Sequence, residues 1–368
     1  MEFSVTRSTK TKAAQERDLI LENPGFGRSF TDHMVIIEFD QAQGWHNAQV
    51  LPYGEIKLDP ANMALHYGQQ IFEGLKAYRH QDGSINAFRP QQNAARFNRS
   101  ATRLAMPELP EEVFVQAIKE LIKVDSEWVP LDKEKSLYLR PFMFATEVGL
   151  GVRPANKYLF MLIASPAGAY FPKGLKPVSV WLSEEYVRAA VGGTGEAKCA
   201  GNYAASLIAQ AQAATQGCDQ VVWLDAQERR WIEEMGGMNL YFVYKTPYGH
   251  KLLTPKLTGS LLPGITRDSI LTLATDLGFE VEEGRLNVED WRKGCESGEI
   301  EEVFACGTAA VITPVGEVKS ASGGWLVNKN ETGSITAKLR ENLLAIQTGD
   351  APTRHEWIYE LTPKIGNL

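Results

Sequence analysis

The chain has 368 residues, 44% of them hydrophobic and 23% charged, with a net charge of −7 and a pI near 5.6. That is the balance of a soluble globular protein, long enough to call for two hydrophobic cores. The acidic balance argues against a nucleic-acid surface, and no apolar run reaches the ~18 residues of a membrane span.

The four cysteines, Cys199, Cys218, Cys295 and Cys306, show neither CxxC spacing nor a nearby histidine pattern. This argues against a metal site and a disulfide framework and fits reduced thiols in a cytoplasm. The N-terminal segment lacks the apolar core of a secretory signal. Residues 1–32 read as an irregular arm. Strand-like runs follow at Met34–Phe39, Ile85–Phe88, Leu137–Phe144 and Tyr158–Ala164, with helical patterns near 91–105 and 111–126. The second of these carries Val113, Ala117, Leu121 and Ile122 on one face. Residues 165–177 hold Pro166, Gly168, Pro172, Gly174 and Pro177 and read as a linker. Val178–Leu182 and Gln220–Asp225 then read as strands and Asn202–Gln216 as an alanine-rich helix. Asn239–Lys245 and Lys251–Thr254 flank Thr246-Pro247-Tyr248-Gly249, a hairpin signal. Residues 334–348 form a last helical pattern with Ile335, Leu339, Leu343 and Ile346 on one side. The expected domains are residues 1–169, a linker at 170–178, and 179–368.

The segment Gly192-Gly193-Thr194-Gly195-Glu196-Ala197-Lys198-Cys199-Ala200-Gly201-Asn202-Tyr203 puts one lysine between a glycine-dense loop and a helix. Glycines let a backbone approach a ligand closely. A partly desolvated lysine favours its neutral amine, the form that attacks an aldehyde. The spacing is not that of a Walker loop. Taken alone, the signal is weak, and a glycine-rich turn with a solvated lysine is the better account of it.

Several other stretches stand in the order found in one enzyme family. They are Phe30-Thr31-Asp32-His33-Met34, Leu65-His66-Tyr67, Phe72-Glu73-Gly74-Leu75-Lys76-Ala77 and Leu137-Tyr138-Leu139-Arg140-Pro141. Further along come Glu234-Met235-Gly236-Gly237-Met238-Asn239, Leu262-Pro263-Gly264-Ile265-Thr266-Arg267 and Gly307-Thr308-Ala309. Together with the lysine segment, they resemble the branched-chain amino-acid aminotransferases, class IV aminotransferases of fold-type IV, and most of all the actinobacterial-type members. The likeness runs from about residue 24 to the C-terminal region. It implies a two-domain α/β plus α+β fold, a small N-terminal domain and a large cofactor-binding one, with pyridoxal 5'-phosphate between them.

The same resemblance assigns roles. Lys198 becomes the Schiff-base lysine and the base that moves the substrate's Cα proton. Glu234 pairs with the pyridine nitrogen; composition alone leaves the adjacent Glu233 as an alternative. Tyr203 contacts the phenolic oxygen. Arg96 takes the phosphate, with Arg99 and Arg103 as nearby alternatives. Ile265, Thr266 and Thr308 add to that site, Thr266 at a helix N-terminus where an N-cap role can coexist. Tyr67, Thr308 and Ala309 hold the substrate α-carboxylate. Phe26, Phe72, Tyr138, Tyr170 and Gly237 line the aliphatic pocket. Arg140, two residues beyond Tyr138 on a strand, is the candidate for the glutamate γ-carboxylate. Leu150 and Val152 resemble loop residues that reach the pocket of a neighbouring subunit, which implies a homodimer. No metal is expected. Mammalian members carry a CxxC after the Gly-Thr-Ala turn; here Ala310 and Thr313 stand there, so no such thiol switch is expected.

The expected reaction is reversible amino transfer between leucine, isoleucine or valine and 2-oxoglutarate. A D-amino-acid aminotransferase or an aminodeoxychorismate lyase would share the fold, but should lack the Tyr138-Leu139-Arg140 pattern beside Tyr67 and the long second half. A non-catalytic metabolite-binding protein would not need Lys198, Glu234, Tyr203 and Arg96 together. A nicotinamide oxidoreductase is disfavoured because no GxGxxG follows a strand with a suitably spaced acid.

Overall fold

The structure is a computed structural model that describes residues 1–168 and 175–363. The chain divides into two compact units, one of Met1–Pro172, Ala197–Ala200 and Ala345–Leu368, the other of Lys173–Glu196 and Gly201–Leu344. The sequence reading has a single crossing at 170–178, whereas in the structure the chain returns twice to the first unit. Backbone pairing accounts for both returns. The Phe72 N–H donates to the Lys198 carbonyl at 3.0 Å and Ile71 bridges Cys199, while the C-terminal strand Ile358–Thr362 pairs with a strand of the first sheet.

In the first unit β1 (Ser4–Val5), β2 (His33–Asp40), β3 (Gly44–Pro52), β4 (Gln70–Phe72), β5 (Leu75–Arg79), β6 (Ile85–Phe88), β7 (Ser136–Ala145) and β8 (Lys157–Ala167) make one sheet. Its order is β1-β3-β2-β8-β7-β5-β6, then the C-terminal strand, with β4 on β7. The arm is not irregular throughout: β1 pairs with β3, and α1 (Ala14–Glu22) is helical but has no fully buried residue, so its pattern carries no amphipathic signal. The expected linker begins too early, because Ser165–Ala167 complete β8 opposite β7. Pro166 is tolerated there because β2 pairs with β8 only as far as Leu162, so no ladder partner on that side asks for its missing N–H.

After the five-residue α2 (Met63–Tyr67), helices α3 (Pro90–Arg103) and α4 (Glu111–Asp125) cover this sheet. Pro90 opens α3 where its missing N–H costs nothing. Phe97, Phe114 and Phe160 meet in the core with ring centroids 5.4–6.0 Å apart. Asn93, Arg96 and Ser100 are buried on the same helix as Phe97. Spacings of three and four put them on one face. Polar groups on a buried face need partners, and that requirement builds half of the site.

The second unit has β9 (Val178–Ser183), β10 (Gln220–Leu224), β11 (Ile232–Met235), β12 (Met238–Thr246), β13 (Gly249–Pro255), β14 (Glu280–Gly284), β15 (Ile300–Gly307), β16 (Val311–Ser320) and β17 (Gly323–Leu326). The order is β11-β10-β9-β16-β15-β12-β13-β14, and an extra β11–β12 pairing closes six strands into a ring. Its helices are α5 (Ala200–Ala204), α6 (Leu207–Thr215), α7 (Ile265–Asp276) and α8 (Val288–Ser297); α9 (Ser334–Gln347) leads to the last strand, β18 (Ile358–Thr362). The hairpin signal matches β12 and β13, where Thr246 opposes Gly249 across Pro247-Tyr248. The expected single helix over 202–216 is two. The Ser206 hydroxyl donates to the Tyr203 carbonyl at 2.7 Å at the break, competing with the helix ladder.

Candidate active site

In the first unit the backbone fixes Lys198 from two sides. Its N–H donates to the Ser100 hydroxyl at 2.9 Å, and its carbonyl accepts from Phe72 at 3.0 Å. Its Nζ lies 5.0 Å from the Phe72 ring centroid. The same ring has the Arg140 guanidinium 4.9 Å away. Arg140 Nη2 donates to the Tyr138 hydroxyl at 3.1 Å, as alternation along β7 requires of residues two apart. Arg140 Nε is buried and has no hydrogen-bond partner among the described residues. Phe26 packs edge-on against Tyr138, centroids 5.0 Å apart. Gly74 makes room for this wall: a Cβ there would lie 1.9 Å from the Tyr138 hydroxyl oxygen.

Beside Phe72, Glu73 is fully buried. Arg96 Nε reaches its Oε1 at 2.7 Å and Nη2 its Oε2 at 2.8 Å, in the two-pronged form that guanidinium favours. Asn93 and the Gly74 N–H also donate to it, at 2.8 and 3.2 Å. Burial pushes the Glu73 carboxyl up, but the charges of Arg96 and Lys198 and these hydrogen bonds outweigh it and hold the group below the usual carboxylate range. Tyr67 donates to the Leu150 carbonyl. Leu150 and Val152 are 64% and 83% exposed, so in one chain they wall nothing. Tyr170 lies outside the described residues.

In the second unit Glu234 on β11 is 1% exposed. Arg188 Nε stands 2.6 Å from its Oε2, and its Oε1 accepts from Asn239 Nδ2 and the Leu262 N–H, both at 3.1 Å. Glu234, Tyr203 and Gly237 share a cavity of about 170 Å³ with Arg188 and Leu262. Glu233 lines a different cavity, with Ser260. Thr266 is buried in the first turn of α7, capped by Gly264. A Cβ on Gly264 would lie 2.0 Å from Asn239 Oδ1, so glycine lets this helix end approach the residue that steadies Glu234. Ile265 is half-buried beside it. Thr308 and Ala309, also half-buried, form the β15–β16 turn, which ends at Val311 with φ 62°.

The structure thus joins Phe26, Phe72, Tyr138, Arg140 and Lys198 in one unit, and Tyr203, Glu234 and Gly237 around one cavity in the other. Sequence reasoning assigned no role to Glu73, Asn93, Ser100, Arg188 or Asn239. For Asn93 and Ser100 a signal existed, polar residues in step with Phe97 on a helix. Arg188 had none: only folding brings it to an acid 46 positions away. Among the described residues no cluster of three or more His, Cys, Asp or Glu side chains is arranged to hold a metal ion, and no helix is long and apolar enough to cross a membrane.

Residues 70–318 match the family model described as amino-transferase class IV. The branched-chain-amino-acid aminotransferase of Mycolicibacterium smegmatis is 61% identical over 362 residues, 98% of each chain. Among solved structures, the Escherichia coli branched-chain amino acid aminotransferase superposes with a TM-score of 0.75 at 28% identity, covering 90% of this chain and 99% of its own. The T.th. branched-chain amino acid aminotransferase solved with pyridoxamine 5'-phosphate gives 0.71 at 30% identity, covering 89% and 98%.

Proposed function

The chain belongs to the class IV aminotransferases, in their branched-chain-amino-acid branch, and we propose that it moves amino groups reversibly between leucine, isoleucine or valine and 2-oxoglutarate, with pyridoxal 5'-phosphate held by Lys198. One observation carries the substrate reading. A single aromatic ring, Phe72, is flanked by the Lys198 amine and the Arg140 guanidinium. An isobutyl side chain needs apolar contact and exclusion of water, while a γ-carboxylate needs a paired charge. Phe72, Tyr138 and Phe26 suit the first, and Arg140 Nε, without a hydrogen-bond partner among the described residues, suits the second.

The side chains also suit the cofactor chemically. When bound, pyridoxal phosphate supplies an electron-withdrawing ring that accepts the charge left on the substrate Cα. Lys198 would hold the cofactor, and its amine could take up and return the substrate's Cα proton. Glu234, contacted by Arg188, Asn239 and the Leu262 N–H, would pair with the ring nitrogen, where a carboxylate favours the protonated ring. Tyr203 would donate to the phenolic oxygen. Arg96, the Ile265–Thr266 helix end and Thr308 would hold the phosphate. Tyr67, Thr308 and Ala309 orient the α-carboxylate; Gly237 and Tyr170 complete the aliphatic wall. Glu73 steadies Arg96 from behind.

We further infer a cytoplasmic homodimer with two domains per chain. The exposed Leu150 and Val152 support the dimer, as side chains available to a second copy. The free cysteines, three of them buried, suit a reducing compartment. The test is a panel of 2-oxo acids with glutamate as donor, read with the visible spectrum. Turnover is expected with the three branched-chain 2-oxo acids. Turnover restricted to D-amino acids would replace this reading with the D-specific relative.

A further inference from the structure

Glu233 and Glu234 are neighbours on β11 and serve different cavities. The Glu233 cavity has a volume of about 630 Å³, in the range of small-molecule sites. Two of its lining residues are Glu233 on β11 and Trp231 just before that strand. Each carries a buried polar atom with no hydrogen-bond partner among the described residues, the donor Trp231 Nε1 and the acceptor Glu233 Oε2. Glu233 is only 6% exposed, and its other oxygen accepts from Ser260 Oγ. Two orphaned groups of opposite hydrogen-bonding sense, on residues that line one cavity, suit a ligand that is both donor and acceptor. The rest of the lining agrees. Leu257 and Leu261 are apolar, while Lys256 and Arg285 bring positive charge, Arg285 lying 4.3 Å from the Trp231 ring centroid. Burial raises the Glu233 carboxyl, and an ammonium beside it would offset that burden.

We propose that this cavity is an effector site for a free aliphatic α-amino acid, its ammonium on Glu233 and its carboxylate on the Trp231 indole N–H near Lys256 and Arg285. Ser260 links it to the acid of the other cavity. Its hydroxyl donates to Glu233, and its carbonyl accepts from Arg188 Nη2, while Arg188 Nε pairs with Glu234. Only the effect on turnover rests on the reading of Glu234 as the cofactor's acid; the binding does not.

The probe is 1-aminocyclopentane-1-carboxylate, an aliphatic amino acid with no hydrogen on Cα and hence no transamination. It is titrated calorimetrically into cofactor-loaded enzyme whose substrate site is saturated with 4-methylpentanoate. One molecule per chain is expected to bind. Affinity should fall at least tenfold in Glu233→Gln and in Trp231→Phe, and equally for cyclopentanecarboxylate, which lacks the ammonium, and cyclopentylamine, which lacks the carboxylate. The two half-ligands need no variant, so the test survives a variant that fails to fold. In steady state the probe should change kcat for leucine in the wild type and not in Glu233→Gln, whereas binding in the substrate site alone would change only KM. Absence of binding to the wild type, undiminished affinity in both variants, a half-ligand that binds as well as the whole, or an unchanged kcat would each overturn the proposal. If leucine proves not to be a substrate, the titration still decides the site.

Discussion

The buried pair of Glu73 and Arg96 gives a stability prediction that can be worked from the contacts. Neither residue reaches solvent in any quantity, and two parallel contacts of 2.7 and 2.8 Å join them. Arg96→Met leaves a buried carboxylate with Asn93, the Gly74 N–H and the more distant charge of Lys198, and Glu73→Gln leaves a buried guanidinium facing an amide. Breaking such a pair from one side costs about 3–5 kcal/mol, because the abandoned charge stays desolvated. Removing both charges together abandons none, so the double variant should fall short of the summed single costs by about 1–3 kcal/mol. Hydrogen exchange of the α3 amides is the suitable assay, since it reads the first unit locally rather than treating two units as one transition. Acid adds a second check. The folded carboxyl sits below its ordinary value of 4.5. Its contribution is therefore fully present above that value and is lost as pH falls through the lower, folded one. The difference between wild type and Glu73→Gln should be flat through neutrality and shrink only in strong acid. Additive single costs, or a cost under about 1 kcal/mol, would refute the buried-pair account.

Three further expectations concern turnover. Lys198→Ala should abolish transamination while leaving the fold intact, checked by activity and a melting curve; turnover at the wild-type rate would remove Lys198 from the chemistry. Glu234→Gln should slow proton transfer more than it weakens cofactor binding, by about 1.5–3 kcal/mol of lost charge-assisted contact, with Glu233→Gln sparing the rate; the reverse pattern in pre-steady-state spectra would exchange the two acids. Arg140→Met should raise KM for glutamate about tenfold to a hundredfold and leave leucine little changed, from the same range, and steady-state kinetics with each donor would show equal losses if the arginine were only structural. Gly74→Ala offers a contrast, because a Cβ 1.9 Å from the Tyr138 hydroxyl must displace the wall shared by both donors.

What the sequence made readable followed from periodicity and punctuation. The α4 face, the hairpin at Thr246–Gly249 and the pairing of Tyr138 with Arg140 across one strand residue are local patterns, and local rules find them. The misses are tertiary. α1 has no fully buried residue and rests on the core only through Ile20 and Leu21 near its end, too little for an amphipathic stripe. Pro166 reads as a loop residue, yet completes β8 because its neighbour strand has already ended. The returns of Ala197–Ala200 and β18 to the first unit depend on hydrogen bonds to residues over a hundred positions away, which no window along the chain can contain.

The two adjacent acids show where such reading stops. Composition cannot separate Glu233 from Glu234, and strand alternation alone says only that they face opposite ways. The environment separates them. Glu234 meets a guanidinium and two N–H donors. Glu233 accepts from one hydroxyl and feels the charges of Arg188 and Arg285 more weakly than its own burial, which raises its carboxyl. The residue that makes the difference is Arg188. It spans both settings, holding the Glu234 carboxylate with Nε and the Ser260 carbonyl with Nη2. It can do so because Gly195 has no side chain: a Cβ there would lie 2.1 Å from that same carbonyl oxygen. The glycine-dense loop therefore does more than bend the chain ahead of Lys198. It lets Ser260 close on Arg188, and so helps place the guanidinium that stands against the acid assigned to the ring nitrogen.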